Sequence, residues 1–60
     1  MDSRQKDINK RLMIAIEGND YNKVKALLEE GARPWDVYEV ADLIGLPAEM
    51  LTLLFPYYKP

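Results

Sequence analysis

Ala15-Ile16-Glu17-Gly18-Asn19-Asp20-Tyr21-Asn22-Lys23-Val24-Lys25-Ala26-Leu27-Leu28-Glu29-Glu30-Gly31 decides the fold. Gly18 and Asn19 tolerate positive φ and so end one helix, and Gly31 ends another in the same way. Asp20 supplies the side-chain oxygen that an N-cap needs to satisfy a free backbone N–H. Between these stops Tyr21, Val24, Leu27 and Leu28 recur at helical spacing, while Lys23, Lys25, Glu29 and Glu30 fall on the water side. The stretch reads as helix, corner, helix.

The same spacing returns 26 positions later. Ala15, Asn19, Val24, Leu27 and Leu28 become Ala41, Gly45, Met50, Leu53 and Leu54; Leu12 and Ile14 become Tyr38 and Val40, and Tyr21 becomes Pro47. A helix, a left-handed residue at Asn19 or Gly45, a tight corner and a second helix account for both copies. Two such units side by side bury the face that neither buries alone. The fold expected is all-α: four short helices, approximately 4–17, 21–30, 35–44 and 47–55, forming two stacked antiparallel hairpins in a single domain, with 56–60 a short tail.

Punctuation elsewhere agrees. Asp2 and Gln5 have the spacing of a capping box for the first helix, with Ser3 as an alternative cap. Ile8, Leu12, Ala15 and Ile16 form its apolar stripe, widened by Met13. Pro34 suits the first turn of the third helix, where its missing N–H costs nothing. Trp35, Tyr38, Ala41 and Ile44 are expected to share one face of that helix, with Val37 and Val40 beside them. Gly45 stops the third helix, Pro47 starts the fourth and Pro56 ends it.

Two resemblances attach to these copies. Ala15-Ile16-Glu17-Gly18-Asn19-Asp20 with Val24, Leu27-Leu28 and Gly31-Ala32-Arg33-Pro34 resembles half of an ankyrin repeat, with Asn19 where that family usually has glycine and Arg33 where it often has aspartate. The resemblance implies two antiparallel helices of matched length, with Ala15 small enough to let them approach. It stops at Pro34, because Trp35 opens a helix where the family makes a β-hairpin. Val37, Val40-Ala41, Gly45-Leu46-Pro47 and Leu51 resemble a DNA-binding helix-turn-helix, which implies a close helix crossing at Ala41 and a recognition helix over 47–54. That helix has no Arg, Lys, Asn or Gln, and its one charge, Glu49, is negative. Base edges and phosphates need donors and cations, so the chemistry argues against a duplex.

Composition excludes other classes. Cysteine and histidine are absent, and serine and threonine occur once each, as Ser3 and Thr52. A nucleophile–base pair cannot be assembled, nor can the common zinc sites. The three glycines all sit at helix ends, so no phosphate-cradling loop exists. No catalytic residue, metal, cofactor or small-molecule substrate is expected. No run approaches the roughly 18 apolar residues that span a bilayer, and the polar opening segment lacks a signal-peptide core. No membrane partner is expected, and the setting is cytoplasmic.

Charge is uneven. Residues 1–27 carry six cations against four anions, and residues 28–60 carry two against six. Five of the six aromatics lie between positions 35 and 58. They either fill and edge the core or face a partner. The last helix and tail offer more apolar positions than one face can bury, and an exposed apolar patch marks an interface. The function expected is therefore a non-enzymatic protein–protein interaction module, either a small adaptor or inhibitor or a homodimerising domain. Its partner-binding residues would be Trp35, Leu51, Phe55, Tyr57 and Tyr58. The alternative is a small nucleic-acid-associated regulator using Arg4, Lys6, Lys10 and Arg11, with dimerisation through the fourth helix.

Overall fold

The computed structural model describes residues 3–58, and within them every regular element is helical. Four α-helices follow in order: α1 (Ser3–Glu17), α2 (Tyr21–Glu30), α3 (Val40–Leu43) and α4 (Ala48–Leu54). Short 3-10 helices lie at Pro34–Asp36 and Phe55–Tyr58.

The first corner forms as its residues require. Asn19 takes a left-handed conformation at φ 54°, and the N–H of Asp20 reaches back to the Ala15 carbonyl at 3.0 Å. The Asp20 carboxylate then accepts from the Lys23 N–H at 3.2 Å, so α2 starts with a satisfied donor. Gly31 ends α2 at φ 114°, where a side chain would be strained. α1 opens at Ser3, which lies inside the helix and does not cap it; Asp2 is outside the described residues. The capping box expected of Asp2 and Gln5 therefore lies outside the described residues, and the Gln5 amide donates to Asn9 and to the Gly31 carbonyl.

α2 is the middle helix, packing on α1 to one side and α4 to the other. Leu12, Ala15 and Ile16 from α1, Val24, Leu27 and Leu28 from α2, and Met50 and Leu54 from α4 form one core, joined by Ala32 and Leu43. The helices of the first hairpin are not matched in length: α1 has 15 residues and α2 has 10. The extra turns of α1 do separate work. Asn9, the one buried polar residue among those described, accepts from the Gln5 amide at 2.9 Å and from the Arg33 N–H at 2.9 Å. It also donates to the Asp36 carboxylate at 3.3 Å, and Gln5 donates to the Gly31 carbonyl at 3.1 Å. This network ties α1 to the chain leaving α2, and it satisfies an amide that would be costly to bury alone.

The third segment departs from the expected single helix over 35–44. Pro34 opens a 3-10 turn that closes when the N–H groups of Val37 and Tyr38 bond its carbonyl at 3.1 and 2.9 Å. Glu39 is then extended, at φ −89° and ψ 164°, and its N–H is held by the Asp42 carboxylate at 3.1 Å. That reciprocal cap fixes Glu39 outside the helix and restarts it at Val40. The break changes which residues face inward. Leu43 is fully buried, while Ile44 is 75% exposed and Trp35, Val40 and Ala41 are also exposed. Tyr38 and Val37 are half-buried. The close crossing expected at Ala41 is not made, and Gly45 does not adopt positive φ. Residues 55–58 wind into the second 3-10 turn, which includes the described part of the short tail expected over 56–60.

Candidate functional site

The fourth helix meets the middle helix with an apolar side left over. Met50 and Leu54 of α4 are fully buried, and Leu51 and Leu53 pack half-buried against the same core. Beyond Leu54 the backbone tightens into the 3-10 turn, which throws Phe55 and Tyr57 outward at 48% and 39% exposure. Between α2 and this end of the chain lies a shallow groove of about 330 Å³. Leu28, Leu53, Pro56 and Tyr57 give it apolar walls, and Lys25 and Glu29 line its α2 side. Thr52 also borders it, its hydroxyl already donating to the Ala48 carbonyl at 3.0 Å.

The five residues expected to meet a partner are thus divided. Tyr57 lines the groove, and Phe55, two residues before it in sequence, is exposed. Leu51 faces partly inward. Tyr58 is half-buried, and its hydroxyl donates to the Tyr38 carbonyl at 2.7 Å, fastening the second 3-10 turn to the broken third segment. Burial raises the Tyr58 phenol to about 12, with Asp42 and then Tyr38 adding to the effect. The Tyr38 phenol is also raised, first by burial and then by Glu17 and Asp42. Trp35 is half-exposed on the first 3-10 turn and is not among the groove's walls.

Two features escaped the sequence reading. One is the pair Lys25 and Glu29, read only as water-facing although they border apolar surface. The other is Asn9, whose signal was present: it shares helical spacing with Leu12 and Ile16, so an amide stood on an apolar face.

Two further depressions lie between α1 and α2 and are differently made. Arg4, Asp7, Arg11 and Glu30 wall one, and Arg11, Ile14, Lys23 and Glu30 wall the other. Arg11 pairs with Asp7 at 3.2 Å on the exposed surface. No buried side-chain nitrogen or oxygen among the described residues lacks a hydrogen-bond partner. No group of three or more acidic, histidine or cysteine side chains gathers among the described residues in a way that holds a metal ion. No helix among them is long and apolar enough to cross a membrane. No family model, curated protein or solved structure matches the chain.

Proposed function

We propose that this chain is a non-enzymatic protein–protein interaction module of the cytoplasm, working through the apolar and aromatic surface of α4 and the turn that follows it. One observation carries the reading: Phe55 and Tyr57 stand out from the end of α4, with Tyr57 in the wall of an apolar groove. Tyrosine and phenylalanine bring large, rigid area at low entropic cost, which is what the centre of an interface uses. The α1–α2 hairpin, with its resemblance to half of an ankyrin repeat, is the scaffold in this proposal, and the groove is the working face.

The nucleic-acid alternative draws less support. Lys6, Lys10 and Arg11 are exposed on α1, but Arg11 is already drawn to Asp7 at 3.2 Å. The acidic stretch that follows Arg33 opposes a polyanion, and neutralised phosphates carry most of such affinity.

A photo-crosslinking residue in place of Tyr57, with the same residue in place of exposed Asn22 as control, tests the proposal in cells. A protein adduct from position 57 and none from position 22 is the expected result. No adduct from position 57 would remove this surface from the function.

A further inference from the structure

The groove between α2 and α4 carries one cation and one anion beside its apolar walls, Lys25 and Glu29, four residues apart on α2. Both are exposed, and neither has an ion-pair partner among the described residues. Four residues of α-helix span about 6 Å along the axis. A two-fold rotation level with position 27 reverses the direction of α2 and exchanges the places of 25 and 29. Under that rotation a cation falls on an anion at both ends of the contact, and apolar wall falls on apolar wall between them. The groove's charges are therefore complementary to themselves, and self-complementarity is the condition an isologous dimer must meet.

We infer that the occupant of this groove is a second copy of the same chain, docked antiparallel across α2, with Lys25 of each copy on Glu29 of the other. The inference rests on the interaction reading above and names its partner. Tyr57, Leu53 and Pro56 of each copy supply the apolar area, and the two charge pairs fix direction and register, which is the usual contribution of rim charges. A parallel arrangement would set Lys25 against Lys25 and Glu29 against Glu29. The charges thus select one orientation out of two.

Sedimentation equilibrium on four samples tests this, with helix content by circular dichroism as the folding control. The unaltered chain is expected to dimerise. Lys25→Glu and Glu29→Lys each turn two attractions into two repulsions, and each alone is expected to weaken the dimer by roughly tenfold at low salt. Mixed in equal amounts, the two variants are expected to associate with each other, because one then carries two anions and the other two cations. The doubly exchanged chain, Lys25→Glu with Glu29→Lys, is expected to dimerise again. An unaltered chain that stays monomeric at its highest soluble concentration would overturn the inference. If the crosslink from position 57 then leads to a different protein, the interaction reading itself survives. A dimer indifferent to both single exchanges, or a mixture that fails to associate, would overturn the antiparallel contact. Loss of such a dimer in Tyr57→Ser would leave only the groove standing.

Discussion

The two halves of this chain share a spacing and use it differently. In the first half Ala15, Val24 and Leu28 are all buried between two continuous helices. In the second half Met50 and Leu54, the counterparts of Val24 and Leu28, are buried as well, but Ala41, the counterpart of Ala15, is exposed. Equivalence holds at those two positions of the second helix, loosens at Leu53, half-buried where Leu27 is buried, and fails at Ala41 in the first. The cause lies at Glu39, where the Asp42 cap breaks the backbone and lets only the four residues of α3 form. A helix that short has no register to inherit from the residues before the break, so its inward face is set by packing alone. The consequence is asymmetric exposure: Trp35, Val40, Ile44, Phe55 and Tyr57 are open in the second half, against Ile14 in the first. The first half builds the scaffold and the α2 side of the groove, and the second half presents most of the exposed apolar side chains.

The largest test of that contrast compares two neighbours. Had the third helix run unbroken over 35–44 with the face of Trp35, Tyr38, Ala41 and Ile44 turned inward, Ile44 would be core and Leu43 would be surface. Leu43→Ala removes a fully buried side chain and is expected to cost about 2–5 kcal/mol. For a domain whose total stability is of order 3–9 kcal/mol, that approaches loss of cooperative unfolding. Ile44→Ser, at a position 75% exposed, is expected to change stability by less than about 0.5 kcal/mol. Urea titrations followed by circular dichroism measure both. A reversed order of sensitivity would restore the unbroken third helix.

A smaller effect separates the two corners. Asn19 occupies φ 54°, while its counterpart Gly45 is not left-handed and has no atom within 4 Å of where a Cβ would stand. Asn19→Ala is expected to destabilise by about 1 kcal/mol, since alanine pays a steric penalty there that asparagine relieves by local hydrogen bonding. Gly45→Ala is expected to do the opposite, gaining about 0.4–1 kcal/mol by restricting the unfolded chain. Midpoints shifted in the same direction would mean that the two corners are alike after all.

What could be read in advance follows the same division. Asp20, Asn19 and Gly31 act through contacts within a few residues, and local chemistry of that kind is written in the sequence. The stripe of α1 and the face of α2 were legible because ten or more residues repeat one period. The phase of α3 was not, since Glu39 is an uncommon cap and its partnership with Asp42 looks like two surface acids. At the candidate surface, the surplus of apolar side chains after Met50 could be counted. Which of them turn out could not, because that depends on where α4 gives way to the 3-10 turn. Tyr58 shows the limit well: beside Tyr57 in sequence, it points back to the Tyr38 carbonyl while its neighbour lines the groove.

That hydrogen bond gives the smallest and most specific of these effects, and its pH dependence carries a sign. The folded chain holds the Tyr58 proton up to about pH 12, whereas an unfolded tyrosine releases it near 10. Between those values the unfolded state binds fewer protons, so stability falls as pH rises. The contribution is fully present below pH 10 and is lost on the way to about 12. Tyr58→Phe keeps the ring and removes both the hydroxyl's hydrogen bond and its titration. At pH 7 the variant is expected to be slightly less stable than the parent, by about 1 kcal/mol for one hydrogen bond. Above pH 10 the difference is expected to shrink, because the parent alone must then keep a phenol protonated beside Asp42 to stay folded. Groups that do not interact with Tyr58 act on both chains alike and cancel in the difference, whereas the Tyr38 phenol, whose charge adds to the Tyr58 shift, does not. Urea midpoints of the two chains, measured at pH 7, 9, 10 and 11, therefore report on Tyr58 together with its interaction with Tyr38. A gap that stays constant across that range would mean that the turn carrying Phe55 and Tyr57 is not fastened to the third segment by Tyr58, and the exposed surface would then lack its anchor.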